Sequence, residues 1–188
     1  SIARDLDGAG LGVSGIKDQP KSRHPYPPFT TSTLQQAASS VCAFSPHRTM
    51  SLAQKLYEAG LITYMRTDSV ESEFGAGYLP EKPNIYRSKS GAQEAHEAIR
   101  PTDVFKKPGT VSGLDASAAK LYDLIWRRFV ASQMADAKFS LRTVSIEPEK
   151  QGMARSYVFT VSTTAVTFEG FLKAMPSASL KRKQEADD

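Results

Sequence analysis

Polar and apolar positions follow three different rhythms along the chain, and each predicts a different kind of element. Residues 11–17, LGVSGIK, alternate weakly and read as a strand. The stretch DQPKSRHPYPP that follows holds four prolines. Proline locks φ and lacks an N–H, so this segment reads as an extended connector. From Phe29 the spacing becomes helical. In FTTSTLQQAASSVCAF, Ser32 and Gln35 have the spacing of a capping box ahead of a helix of small residues. Ser45 and Pro46 then suit an N-cap and a first helical position. The helix they open carries Met50, Ala53, Leu56 and Tyr57 on one face and stops at Gly60. Two short helices joined by a tight turn resemble a helix-turn-helix.

LITYMRT, directly after Gly60, is β-favouring and predicts a short strand beside the helices. Residues 70–92 are polar and broken by glycine and proline, so they read as loop. A short helix is expected at 92–100, stopped by Pro101, and Asp115 caps the longest helix, roughly 116–134. Its apolar face carries Ala118, Tyr122, Ile125, Trp126, Phe129 and Val130. From Phe139 the period changes to two, again over 156–163 and 164–169, with turn chemistry at 147–152. Residues 181–188 mix both charges without an apolar face and read as a frayed tail. No internal repeat is present. The expected fold class is α+β: a mainly helical domain, with a helix-turn-helix-like unit, inserted between antiparallel strands.

Composition narrows the classes. The 188 residues are 40% hydrophobic and 23% charged, values suited to one large soluble domain or two small ones. No apolar run approaches the roughly 20 residues that cross a bilayer. Cys42 is alone, which excludes an internal disulfide and a cysteine zinc cluster. The chain lacks an initiator Met and a signal-peptide pattern, so it is expected to be processed or cut from something longer. The formal charge of +4 is too small to argue for nucleic acid by itself. Between Lys17 and Arg66, however, six basic side chains face only Asp18 and Glu58. A solvated face explains that excess as well as a polyanion does.

Two segments could carry chemistry. In GLITYMRTDS, Tyr64 and Arg66 are two apart, so on a strand they share a face. A phenolic oxygen becomes a usable nucleophile beside a cation, and an arginine fork suits a phosphate. The competing role for Tyr64 is plain packing in a core. In QEAHEAIRP, His96 and Arg100 are four apart and would share a helix face near Gln93. The alternative there is a surface helix with a Glu97–Arg100 pair. No second histidine stands at the spacing a zinc motif needs, and no paired Asp-x-Asp would hold magnesium.

Taken together and in order, PFTTSTLQQ, LYEAGLITYMRTDS and QEAHEAIRPTD resemble the middle of a bacterial type IA DNA topoisomerase. The resemblance runs from about Tyr26 through FEGFLKAM at 168–175 and includes WRRFVASQMADAK. RHPYPPFTTSTLQQ favours the topoisomerase I branch over topoisomerase III or reverse gyrase. The resemblance implies that Tyr64 is the catalytic tyrosine, which attacks single-stranded DNA and becomes linked to the 5′-phosphate. It implies that Arg66 positions the scissile phosphate and that His96 contacts DNA or relays a proton, with Arg100 in support. Thr31, Ser32 and Gln35 become candidate DNA-backbone contacts, although for Ser32 and Gln35 the capping box is the favoured role.

The family's Mg²⁺ would be held by a Toprim domain absent from this chain, so the fragment is expected to bind no metal. Residues 1–27 and 138–188 would be the two parts of a β hinge domain in a toroidal enzyme, and 28–137 the helical domain carrying the tyrosine. DNA and the remaining domains of the parent enzyme are the expected partners, with no membrane, in the bacterial cytoplasm at the nucleoid. The family usually carries an additional helix between Asp68 and Tyr78, where this chain has only SVESEFGAG; the expectation is a shortened member or residues missing near Val70–Glu73. The rival from another class is a non-catalytic helix-turn-helix DNA-binding module. A metal-dependent nuclease fails for want of carboxylate ligands.

Overall fold

The computed structural model describes residues 2–63, 80–82, 84, 98–149 and 156–175. It divides into two compact units, one formed by 1–23 with 138–168 and one by 24–137 with 169–188.

The first unit is a three-stranded sheet in the order β1-β2-β3, where β1 is Leu11–Arg23, β2 is Ala137–Pro148 and β3 is Phe159–Phe168. β2 and β3 are antiparallel, with Ile146 opposite Phe159 and Phe139 opposite Val166, and an irregularity at Lys138/Phe139. Asp18 binds Arg142 through two bonds of 2.8 and 2.7 Å, the Arg23 guanidinium lies over the Phe139 ring, and Gly10 accepts from the Glu149 N–H. These contacts run in opposite chain order, so β1 is antiparallel to β2 as well. A short helix, α1 (Ile2–Asp5), precedes β1, and Asp5 accepts from the Tyr157 hydroxyl.

Two expectations change here. β1 runs on through Pro20 to Arg23, six residues into the stretch read as connector. An edge strand tolerates a proline because one side of its backbone needs no partner. The two strands expected at 156–163 and 164–169 are one strand, since no glycine or proline interrupts the pairing before Gly170. Both faces of the sheet also keep apolar side chains exposed: Leu11, Val13, Ile16 and Val161 are each about 60% accessible.

The second unit packs three helices: α2 (Thr31–Cys42), α3 (Pro46–Glu58) and α4 (Ala116–Ser132). Leu34 and Ala38 from α2, Leu52, Ala53 and Leu56 from α3, and Leu121, Ile125 and Phe129 from α4 are buried together. As expected, Ser45 caps α3 with Pro46 in its first turn, and Gly60 ends it at φ +67. Asp115 caps α4 by accepting from the Ser117 and Ala118 N–H groups. The α2 cap is a correction: Thr30, not Ser32, is the N-cap, and Thr33 rather than Gln35 returns the bond to the cap backbone. Four hydroxyl residues stand in a row there. Phe29 selects among them, because its carbonyl is tied to the Ile99 N–H at 2.7 Å and holds the chain extended up to Thr30.

Polar side chains lash the loops to α4. Trp126 donates to the Val104 carbonyl at 2.9 Å, and Tyr122 donates to the Lys106 carbonyl at 2.7 Å. Arg128 donates to the Pro27 carbonyl at 2.7 Å and lies over the Tyr26 and Phe29 rings. Within this unit the three places where the chain departs toward the sheet are also tied together. His24 Nδ1 meets Asp136 at 2.8 Å, and Phe171 N–H donates to the Ala135 carbonyl at 2.9 Å. Gly170, at φ +51, is packed against the Asp136 carbonyl so closely that a Cβ would fall 2.3 Å from its oxygen.

Candidate DNA-cleavage site

Tyr64, Arg66 and His96 lie outside the described residues, as do Gln93, Glu97 and the segment around Val70–Glu73. The backbone that leads into and out of these segments is described. Leu61–Thr63 run antiparallel to Arg100–Thr102: the Thr63 N–H donates to the Arg100 carbonyl at 2.7 Å and the Thr102 N–H donates to the Leu61 carbonyl at 3.0 Å. Ile62 pairs with Pro101, and Ile99 pairs with Phe29 on its other side. The last residue before Tyr64 is therefore bonded to Arg100, four residues after His96.

This pairing also corrects the expected helix at 92–100 over the part that is described. Residues 98–101 are extended, because Arg100 precedes a proline and both Ile99 and Arg100 spend their backbone groups on neighbouring segments. Arg100 is half-buried.

Thr63 has φ +104. For a β-branched residue that is a true outlier, of the kind found where surrounding structure imposes strain. Its hydroxyl donates to the adjacent Ile62 carbonyl. Sequence reading passed over Thr63, since backbone strain imposed by a partner strand has no local signature.

Beside Thr63 lies an open groove of about 190 Å³, lined chiefly by Met50, Gln54, Tyr57, Ile62, Thr63 and Ile99. None of the eight described residues that line it carries a charge. Tyr57 is 60% exposed there, and Gln54 donates to Glu58 at 2.9 Å along the same side of α3. The helical pattern placed Tyr57 on an apolar face with Leu56; in the structure only Leu56 turns inward.

A larger concavity of about 590 Å³ lies on another side of α3, among His47, Arg48, Ser51, Lys55, Asp115 and Ser117. Arg48 and Lys55 both have partners within the protein. Arg48 donates to Ser117 at 2.7 Å and lies over Phe44, and Lys55 is 4.0 Å from Asp115. The N–H groups of Ala118 and Ser117, with Lys55 and Arg48 nearby, hold the Asp115 carboxyl below its ordinary range.

Thr31 and Ser32 are exposed on the first turn of α2, and Gln35 is half-buried. Cys42 is half-buried, and burial pushes its thiol pKa up, the reverse of what a nucleophilic thiol needs. Among the described residues no cluster of histidine, cysteine or carboxylate side chains is suited to a metal ion, and no helix is long and apolar enough to cross a membrane.

An α+β fragment whose helix pair leads into the segment that holds Tyr64 and Arg66 defines a class, and comparison with known proteins agrees. Residues 1–187 match the DNA topoisomerase family model, and the chain belongs to that family, as a type IA topoisomerase fragment. It is 45% identical to DNA topoisomerase 1 of Pseudomonas aeruginosa over 93% of its own length, and 47% identical to that of Mycolicibacterium smegmatis over 93%. The structure of full-length topoisomerase I from Thermotoga maritima matches 89% of this chain and 30% of that one, with a TM-score of 0.71 and 33% identity. The chain spans about a fifth of the length of the curated relatives it matches, 21% of the Pseudomonas protein and 20% of the Mycolicibacterium one.

Proposed function

We propose that this chain is the nucleophile-bearing part of an enzyme that cuts and rejoins one strand of DNA, relaxing negative supercoils without ATP. Tyr64 Oη attacks a backbone phosphorus of single-stranded DNA. The Tyr64 O–P bond forms as the bond to the 3′ oxygen breaks, the phenolic proton leaves, and the released strand end gains a 3′-hydroxyl. Rejoining is the reverse attack by that hydroxyl, so the phosphodiester energy is conserved and no cofactor is consumed. Arg66 pairs with the scissile phosphate and offsets the charge that builds on it in the transition state. His96 contacts the DNA or moves a proton, and Arg100 supports the site. Thr31, Ser32 and Gln35 are backbone contacts along the approach.

The observation that carries this reading is the 2.7 Å bond from Thr63 N–H to the Arg100 carbonyl. It joins the segment entering TYMRTDS to the segment leaving QEAHEAIRP, and so favours one shared site over two unrelated ones. Mg²⁺ supplies phosphate-charge neutralisation in the whole enzyme. The family resemblance assigns it to a Toprim domain elsewhere in that enzyme. The sheet unit is read as the hinge, whose exposed apolar residues fit coverage by the rest of the parent protein. The enzyme is expected to act in the bacterial cytoplasm, on the nucleoid.

The test is covalent capture of a labelled single-stranded oligonucleotide by the whole enzyme. Tyr64→Phe should abolish the denaturant-resistant adduct, and an adduct that persists would remove Tyr64 from the mechanism. This chain alone, given Mg²⁺ and supercoiled plasmid, should leave the plasmid supercoiled.

A further inference from the structure

We infer that the groove beside Thr63 is a seat for one unstacked nucleobase, with Tyr57 as the face on which the base stacks. The inference rests on the single-strand cleavage reading above and adds a positioning residue to it. Tyr57 is 60% exposed and Met50 36% exposed, whereas their neighbours Leu52, Ala53 and Leu56 on the same helix are buried. Met50, Gln54 and Tyr57 stand at i, i+4 and i+7, so they form one stripe along α3 with the planar amide between the thioether and the ring.

The groove's chemistry selects the occupant. The described residues of its lining carry no charge, so they offer nothing to a phosphate. At about 190 Å³ it falls below the roughly 300 Å³ at which drug-sized ligand pockets begin, which suits a single flat ring. An exposed aromatic ring is the usual platform for a base in a single strand, because every base has a π-face. Thioether sulfur adds a soft, polarizable contact.

Position supplies the rest. Thr63 and Ala98 both line the groove. Tyr64 follows Thr63 in the chain, and His96 lies two residues before Ala98. The groove is therefore continuous in sequence with both segments of the proposed site. A base held here would fix the register of the strand relative to the phosphate presented to Tyr64, and leave the phosphates themselves to the arginines.

The test measures covalent adduct formation by the whole enzyme as a function of oligonucleotide concentration. Tyr57→Ala should raise the half-saturating concentration about tenfold, the usual worth of one base–aromatic stack, with little change in the maximal rate. Tyr57→Phe keeps the ring and should stay within about twofold of the parent. An oligonucleotide scanned with a single abasic position should show one site where the loss equals that of Tyr57→Ala, and the two losses should not add. If Tyr57→Ala has no effect, or Phe is as poor as Ala, the stacking role is wrong. A lowered thermal midpoint with unchanged oligonucleotide dependence would also overturn it, making Tyr57 a packing residue against another domain. Failure here with Tyr64→Phe still blocking the adduct removes only the base seat; an adduct that survives Tyr64→Phe removes the parent reading.

Discussion

Replacing Gly170 by alanine should cost the helical unit far more than its size suggests. Gly170 sits at φ +51, and a Cβ added there would lie 2.3 Å from the Asp136 oxygen and 2.6 Å from the Ala135 oxygen. The left-handed conformation alone costs a non-glycine residue about 1–2 kcal/mol. Ordinary C···O contact begins near 3.3 Å, so the backbone at Asp136 or at Gly170 must also move by about 1 Å. That segment is held by the Phe171 bond to Ala135, by Asn84 bonds to Ser132 and Met134, and by His24 on Asp136. Breaking the buried Phe171–Ala135 bond adds about 1–3 kcal/mol. The total is about 2–5 kcal/mol, which lowers the thermal midpoint of a chain this size by roughly 5–20 °C. Gly113→Ala is the control: its φ is +82, but nothing lies within 4 Å of the added carbon. It should cost only about 1 kcal/mol, or roughly 2–4 °C. The assay is thermal unfolding of both variants followed by helical circular dichroism. Equal shifts would refute the argument, because the difference between them is the carbonyl contact alone.

Other outcomes are expected. Arg128→Ala should lower the thermal midpoint more than Arg127→Ala, because Arg128 holds Pro27, Tyr26 and Phe29 while Arg127 is chiefly paired with Asp123 at the next turn; calorimetry checks the order. The Asp115 carboxyl is held below its unfolded-state pKa, so its stabilising contribution is complete above about pH 4 and fades as acid protonates the cap; Asp115→Asn should remove that part of the acid slope in a pH series of unfolding curves. Cys42 should alkylate with iodoacetamide more slowly than a free cysteine at neutral pH, since its thiol is held protonated by burial; mass spectrometry over time reads it directly. Tyr122, pushed up to about 12 by burial and by nearby Asp103, should remain un-ionised in a spectroscopic titration until well above pH 10.

Much of this protein is local chemistry and could be read from residue order. Ser45–Pro46, Gly60 and Asp115 set helix ends because the groups that satisfy a helix terminus come from within a few positions of it. The apolar face of α4 and the alternation of β2 follow from the two periods of the backbone. The tyrosine-arginine and histidine-arginine segments stand as candidates on the length and order of their motifs alone.

What the sequence left open depended on partners far along the chain. Which of four hydroxyl residues caps α2 was decided by Ile99, 70 positions from Phe29. Whether residues 98–100 were helix or bridge was decided by the backbone groups of Phe29 and Thr63. Pro20 fits a strand because β1 lies at the sheet edge. Tyr57 and Leu56 are adjacent and both apolar enough to fill a core, yet packing against α2 and α4 buried one and left the other facing a groove. The residue order therefore supplied the helix caps, the two periods and the chemical groups of the candidate site. Only the tertiary structure decided which side chains meet, because burial and long-range pairing arise from the whole chain's packing and leave no mark on the local spacing of residues.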